Sequence, residues 1–201
     1  MSVASAQPFA LLSPDVVLEA AERVGIVCDG RLFALNSYEN RVYQLGSESH
    51  GTLVLKFYRP ARWSDAQILE EHEFTHELAA AQLPVAEPIA FEGTTLQTHA
   101  GLRYAIFPKL EARAAEIDVR GSLELIGRTL GRIHAIGALR PFRHRPALSA
   151  ERLGWQARDS LLASAFMNSA TLDEAVIDKY AEVSAALLEQ VDLHLERYGP
   201  A

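Results

Sequence analysis

The spacing of apolar residues changes once along this chain, from an alternating pattern in the first half to a helical pattern in the second. Three short runs in the first half are rich in β-branched and aromatic residues, and polar turns separate them. The runs are LFALNS, RVYQLG and TLVLKFY. They predict three consecutive antiparallel strands over 31–36, 41–45 and 52–58, because short turns join neighbouring strands of that kind.

Two helices and two further strand-like runs complete the first half. Ser13 and Pro14 are typical of a helix start and predict a helix over 14–24. Ser64, followed three residues later by a glutamine, forms a capping-box pattern that predicts a helix over 65–81. The two strand-like runs are VAEPIAFEG at 85–93 and LRYAIF at 102–107. We therefore predict a five-stranded antiparallel sheet with one helix between its third and fourth strands.

The second half of the chain has the periodicity of helices. Residues 122–137 carry apolar side chains at steps of three or four, which predicts one helix. Thr171 and Glu174 have capping-box spacing and predict a last helix that runs to Tyr198. Strands grouped in one half and helices in the other are typical of the α+β class. We therefore predict an α+β fold.

The composition excludes several classes of function. The chain has 201 residues and a net charge of −7, which disfavours a nucleic-acid partner because phosphate binding needs a basic surface. It has no signal-peptide pattern and no apolar stretch long enough to cross a membrane. Cys28 is the only cysteine, so no intrachain disulfide can form. We expect a cytoplasmic protein with neither a nucleic-acid nor a membrane partner.

Lys56 is the first candidate for a functional residue, because it lies inside the apolar run TLVLKFY. One alternative is a lysine that simply points into solvent from an exposed strand face. The helix predicted over 65–81, however, places Glu71 on its apolar side, where a carboxylate needs a partner. We therefore predict a Lys56–Glu71 pair, with Glu70 and Glu73 as rival partners. In kinases such a strand lysine and helix glutamate orient the lysine on nucleotide phosphates.

The turn between the first two predicted strands, residues 36–40, contains no glycine. Its Ser37 hydroxyl and successive backbone N–H groups could face an anion. An ordinary hairpin turn is the simpler interpretation of such a short polar segment.

A second pattern suggests a different chemistry. His72, Glu73 and His76 match H-E-x-x-H, in which two histidines on one helix face bind zinc and the glutamate acts as a base. The position where the commonest extended form has its third ligand is Gln82, and both histidines are expected to face solvent. A zinc hydrolase is therefore the weaker alternative.

Two further features have structural interpretations. Arg140, Arg143 and Arg145 form a small basic cluster, which we predict to be a solvated loop that could contact an acidic partner. Trp63, next to the capping box, is predicted to be a packing residue.

Five segments carry a resemblance to a known family, and it is dense over residues 11–146. They are LNSYENRVYQ (35–44), LKFYRPARW (55–63), ILEEH (68–72), LPVAEPIAF (83–91) and LGRIH (130–134). They closely resemble a family of bacterial serine/threonine protein kinases of the stress response, which share the fold of aminoglycoside and choline kinases. A string of ten residues such as LNSYENRVYQ is a specific match.

The resemblance implies a site and a division into lobes. It implies that Ser37 touches ATP and that Lys56 orients the phosphates with Glu71 as its partner. It also implies that Phe107, Pro108 and Lys109 form the hinge, where backbone groups pair with adenine. Residues 1–108 would form a kinase-like N-lobe with an N-terminal helix, and 109–201 the hinge and part of a helical C-lobe.

The chain departs from the family pattern in one respect. The family's catalytic loop, H-G-D-x-H-x-x-N, and the later aspartate that binds Mg²⁺ are not found in the 201 residues. We therefore assign no catalytic residue and no metal ligand to this chain, although the family uses ATP and Mg²⁺. We expect the chain to be the first part of a longer kinase and to be inactive alone.

Three functions remain open at this point. The first is a serine/threonine protein kinase whose intact form phosphorylates a protein substrate. The second is a small-molecule kinase of the same fold, since a fold does not determine its substrate. The third is a non-catalytic nucleotide- or partner-binding remnant, whose exposed apolar face would favour self-association.

Overall fold

Five strands form one antiparallel sheet in the part of the chain that the structure describes. The computed structural model describes residues 8–112, 116, 119–167 and 173–198. In chain order its elements are α1 (Pro14–Arg23), β1 (Cys28–Leu35), β2 (Arg41–Ser47), β3 (Gly51–Phe57), α2 (Asp65–Ala80), β4 (Gln97–His99), β5 (Leu102–Pro108), α3 (Ser122–Gly137), a π-helix (Glu151–Trp155), α4 (Gln156–Met167) and α5 (Glu174–Tyr198). The strand order is β1-β2-β3-β5-β4. The predicted α+β class is confirmed.

The fourth strand is not where the sequence predicts it. Residues 85–93 lie outside the strands of the sheet, and the Ile89 N–H donates to the Ile106 carbonyl at 2.8 Å. Pro88 has no N–H, so this segment cannot continue a ladder of hydrogen bonds. The fourth strand is instead β4, three residues long, which pairs with the start of β5. Such a short strand has too few residues to show an alternating pattern.

The main hydrophobic core lies between the sheet and α1. One face of the sheet contributes Leu55 and Phe57 of β3, and the ring of Phe57 stacks on Tyr104 of β5 at 5.3 Å. The Tyr104 hydroxyl donates to the Ala20 carbonyl of α1 at 2.6 Å, which satisfies a buried polar group where the helix meets the sheet. Strand alternation leaves the opposite face of β3, with Val54 and Lys56, for other partners.

Helix α2 begins at the predicted capping box. The Gln67 N–H donates to the Ser64 hydroxyl oxygen at 3.2 Å, and the Ser64 N–H donates to the Gln67 side-chain oxygen at 2.9 Å. Ile68 of α2 is buried with Tyr58 and Ala105 in a second, smaller cluster. The capping box therefore starts the helix at the point from which it can pack beside β3.

The chain divides into two compact units, Met1–Arg145 and Pro146–Ala201. The lobe boundary predicted after residue 108 stays a prediction. In the second unit, the Trp155 indole N–H donates to Asp192 of α5 at 2.7 Å. The sequence does not predict α4, because its apolar residues do not repeat on one face.

The predicted helix over 122–137 coincides with α3, whereas the predicted start of α5 at Thr171 lies outside the described residues. No helix in the described ranges is long and apolar enough to cross a membrane.

Replacing Phe57 by alanine tests the main core. Its side chain is 0% exposed, so we expect the free energy of unfolding to fall by about 3–5 kcal/mol in urea denaturation. Phe33→Ala is the matched control, because Phe33 is 56% exposed, and it should cost less than about 1 kcal/mol. Equal losses in the two variants would contradict this description of the core.

Candidate functional site

Lys56 and Glu71 meet between β3 and α2. The Lys56 Nζ lies 3.0 Å from Glu71 Oε1, and the two side chains are 25% and 34% exposed. Strand alternation turns Lys56 away from the main core, and the capping box at Ser64 sets the start of the helix that carries Glu71. The ion pair predicted from the sequence is present, and it involves Glu71 rather than Glu70 or Glu73.

The pair faces a cavity of about 390 Å³, which we call the Lys56 cavity. Its lining residues are Val42, Val54, Lys56, Glu71, Thr75, Ala86, Phe107, Pro108, Lys109 and Leu110. Phe107 and Lys109, predicted as hinge residues, therefore lie on the same cavity as Lys56. The volume is in the range typical of small-molecule sites.

Val42 and Val54 form apolar walls of the Lys56 cavity that were not predicted from the sequence. Val42 is directly opposite Lys56 in the β2–β3 register, and Val54 is directly opposite Phe107 in the β3–β5 register. Residues opposite each other in a sheet project to the same face. The alternation in RVYQLG, combined with the position of Lys56, is the signal that could have identified Val42.

Besides Glu71, three neighbours interact with the Lys56 ammonium: Arg145, Glu39 and Tyr58. Burial lowers the pKa of Lys56 below its usual value, and the nearby Arg145 guanidinium lowers it further, while Glu39 acts in the opposite direction. The ammonium also lies over the Tyr58 ring, 4.8 Å from its centroid, which is a cation–π contact. Lys56 is therefore a partly desolvated cation next to an open cavity.

The 140–145 loop is exposed at Arg140 and Arg143, as predicted, but Arg145 is partly buried. The Glu70 carboxylate accepts backbone N–H groups of Arg143, His144 and Arg145 at 2.5, 2.9 and 2.6 Å. Arg145 also forms an ion pair with Glu71. The prediction of a solvated loop therefore fails for Arg145, and Glu70 binds the loop rather than Lys56.

The 36–40 turn is attached to the segment that leads into α2. The Trp63 indole N–H donates to Glu39 at 2.9 Å, and the Arg59 N–H donates to the Asn40 side-chain oxygen at 3.2 Å. The Ser37 hydroxyl donates to the Asn40 carbonyl at 2.9 Å, an interaction within the turn. Ser37 is not among the described residues that line the Lys56 cavity. Trp63 thus has a hydrogen-bonding role that the packing prediction did not include.

His72 is buried, contrary to the expectation that both histidines of H-E-x-x-H face solvent. Its Nε2 is 2.7 Å from the Tyr58 hydroxyl, and its Nδ1 is 2.7 Å from the Thr95 hydroxyl. His76 contacts Glu87 at 2.8 Å. Among the described residues there is no group of three or more His, Cys, Asp or Glu placed to hold a metal ion. Because both nitrogens of His72 bind neighbouring hydroxyls, the ring has no nitrogen left for zinc.

Comparison with known protein families identifies the family of this chain. The model of the phosphotransferase enzyme family (APH) matches residues 32–197. The chain belongs to this family.

Two curated relatives of this chain are bacterial kinases. It is 49% identical over 138 residues to the serine/threonine protein kinase RdoA of Salmonella typhimurium, which covers 69% of the chain and 42% of the relative. It is 46% identical over 144 residues to stress response kinase A of Escherichia coli K12, which covers 72% of the chain and 44% of the relative. The chain spans less than half the length of either relative.

Two solved structures share the fold of this chain. The amicoumacin kinase hAmiN, in complex with AMP-PNP, Ca²⁺ and Ami, superposes with a TM-score of 0.59 at 19% identity and covers 81% of this chain and 55% of that one. The spectinomycin phosphotransferase APH(9)-Ia, in complex with ADP and spectinomycin, has a TM-score of 0.58 at 16% identity, with coverage of 97% and 60%. At these identities the likeness shows the kinase-like fold alone.

The buried His72 predicts a dependence of stability on pH. Burial, followed by the charges of Lys56 and His76, lowers the pKa of His72 to about 4. Its unfolded-state pKa is about 6.5, so the unfolded chain binds the additional proton between these values. Stability should therefore fall as the pH decreases, and His72 should contribute a loss of about 2 kcal/mol between pH 7 and pH 5.

Urea denaturation at pH 7, 6 and 5 measures this contribution. His72→Gln removes the titrating ring, so the free energy of unfolding of this variant should depend less on pH over the same range. An equal pH dependence in the two proteins would exclude His72 as the cause.

Proposed function

We propose that this chain is the nucleotide-binding part of an ATP-dependent serine/threonine protein kinase of the bacterial stress response. The observation that carries the proposal is the Lys56–Glu71 pair at the wall of the Lys56 cavity. A desolvated ammonium held by a carboxylate is suited to phosphate oxygens, because it neutralises their charge at a fixed position. In this proposal Lys56 contacts the nucleotide phosphates and Glu71 orients Lys56.

The walls of the cavity suit the other parts of a nucleotide. Val42, Val54 and Phe107 offer apolar surface for the faces of a base. In this proposal, main-chain groups of residues 107–109 contact the edge of the base. The Lys109 N–H donates to the Thr52 carbonyl at 3.1 Å, so contacts to the base would use other main-chain groups of this segment.

Ser37 lies outside the lining of the Lys56 cavity. Its hydroxyl is directed to Asn40 within the 36–40 turn. We propose that the turn lies over the phosphates and that Ser37 exchanges this contact for one to the nucleotide. The attachment of the turn through Glu39 and Trp63 supports a defined position for it.

We assign no magnesium ligand to this chain. The described residues contain no group of three or more His, Cys, Asp or Glu that could hold a metal ion. The proposal for this chain therefore concerns the nucleotide alone, and we assign no step of the reaction to a metal.

A protein is the proposed substrate of the intact kinase. The relatives that are 46–49% identical are named as a serine/threonine protein kinase and a stress response kinase. The antibiotic kinases are 16–19% identical and share the fold. We therefore favour a protein substrate over a small molecule and propose that the kinase acts in the cytoplasm.

Replacing Lys56 by methionine tests the assignment of the nucleotide site. The variant keeps the length of the side chain and removes its charge, so the Kd for an ATP analogue should rise by about 10- to 100-fold. Isothermal titration calorimetry on the 201-residue chain measures the change. Lys179→Met is the matched control, because Lys179 lies on α5 and pairs with Glu182 at the surface. Equal affinities in all three proteins would overturn the nucleotide assignment.

The absence of the catalytic loop from the 201 residues leads to a second expectation. The chain should bind nucleotide without transferring phosphate to protein, because the catalytic-loop sequence whose aspartate positions the acceptor hydroxyl does not occur in the 201 residues. A radiolabelled ATP assay with a general protein substrate measures transfer. Robust turnover that disappears in Lys56→Met would contradict this expectation.

A further inference from the structure

The Glu71 carboxylate has two cationic partners, one for each oxygen. Lys56 contacts Oε1 at 3.0 Å from the strand side, and the Arg145 guanidinium contacts Oε2 from the 140–145 loop. Arg145 is 23% exposed, similar to Lys56. A carboxylate held at both oxygens has less rotational freedom than one in a single ion pair.

The 140–145 loop that delivers Arg145 is attached along α2. Besides the three N–H groups accepted by Glu70, Gln67 donates its side-chain amide to the His144 carbonyl at 2.9 Å. Phe74 meets Phe142 edge to face at 5.1 Å. Arg140 forms ion pairs with Glu73 and Glu77. These contacts involve three successive turns of the helix, so they hold Arg145 in a defined position relative to Glu71.

Trp63 supports Arg145 from its other side. The guanidinium lies over the Trp63 ring at 4.5 Å from the centroid, which favours a planar cation held flat against the ring. The same indole donates to Glu39 in the 36–40 turn. Arg145 therefore contacts both the carboxylate that pairs with Lys56 and the tryptophan that holds the turn.

Two cations, Lys56 and Arg145, share the single carboxylate of Glu71. Two further carboxylates lie nearby: Glu39 is bound to Arg62 at 2.9 Å, and Glu70 accepts the N–H groups of the loop and keeps its negative charge. Arg145 is one of the groups that lower the pKa of Lys56. Lys56 and Arg145 therefore repel each other, and the Glu71 carboxylate between them holds both in place.

We propose that Arg145 is a positioning residue, which holds Glu71 in place so that Lys56 is kept at the wall of the Lys56 cavity, where it can meet an anionic ligand. The prediction that this ligand is a nucleotide rests on the proposed function. The prediction that Arg145 fixes the Lys56–Glu71 pair does not rest on it. Each prediction has its own experiment.

Nucleotide affinity tests the first prediction. Arg145→Met removes the charge and keeps an apolar stem against Trp63, and it should raise the Kd for an ATP analogue about tenfold. Arg145→Lys keeps the charge without the planar fork and should recover part of the affinity. Arg128→Met is the matched control, because Arg128 pairs with Glu124 on the exposed surface of α3, away from the 140–145 loop. It should change the Kd less than about twofold.

A double-mutant cycle shows whether Arg145 acts through Glu71. In a Glu71→Gln background, Arg145→Met should change the Kd less than about twofold, because the carboxylate it positions is gone. A tenfold effect in both backgrounds would overturn the proposal and would indicate that Arg145 acts on the ligand independently of Glu71.

Nuclear magnetic resonance tests the pair without any nucleotide. The chain has three lysines, Lys56, Lys109 and Lys179, so reductive ¹³C-methylation gives few signals and preserves the charges. Glu71→Gln should move the Lys56 signal at pH 7.5. Arg145→Met should also move it, and it should move it less when Glu71 is already glutamine. Arg128→Met should leave it in place.

The two readouts distinguish the possible failures. If the wild-type chain binds no nucleotide while the Lys56 signal behaves as described, the proposed function fails and the positioning role of Arg145 stands. If Arg145→Met leaves the Lys56 signal unchanged in a chain that melts cooperatively, the positioning role is wrong, whatever the nucleotide affinity.

Discussion

The carboxylate of Glu71 connects parts of the first unit that are distant in sequence. Lys56 reaches it from the middle of the sheet, and Arg145 reaches it from a loop that follows α3. Without this negative charge, two half-buried cations would face each other, which is costly where water is partly excluded. The arrangement of the Lys56 cavity therefore depends on one side chain of α2 and on the packing that places it there.

Helix α2 serves two partners on different sides. Ile68 and His72 pack toward the sheet and the segment that carries Thr95, whereas Glu70 and Glu77 hold the 140–145 loop. Glu71 lies at the border of these two surfaces, so it can bind a cation from each. The hydrogen bonds of His72 to Tyr58 and Thr95 keep a polar ring satisfied in the interior, next to the ring over which Lys56 lies.

Much of the first unit could be predicted from local patterns, and the failures have identifiable causes. The alternation around Lys56 and the capping box at Ser64 predicted the strand, the helix and the pair that joins them. His72 was misplaced because the apolar residues of α2 suggested one narrow buried stripe, while the helix is covered on two sides. Arg145 was interpreted as solvated because its partner is 74 positions away in the sequence. The short β4 had no recognisable pattern, and Pro88 interrupted the run predicted in its place.

The sequence by itself determined the class of fold, the starts of α1, α2 and α3, the face of the strand that carries Lys56 and the family to which the chain belongs. These properties depend on backbone periodicity and on interactions over three or four residues, which are visible in the order of side chains. The tertiary structure decided which carboxylate meets which cation. Several acidic residues of α2 have similar local surroundings, and only the packing of the helix against the sheet and the loop brings Glu71, rather than its neighbours, between Lys56 and Arg145.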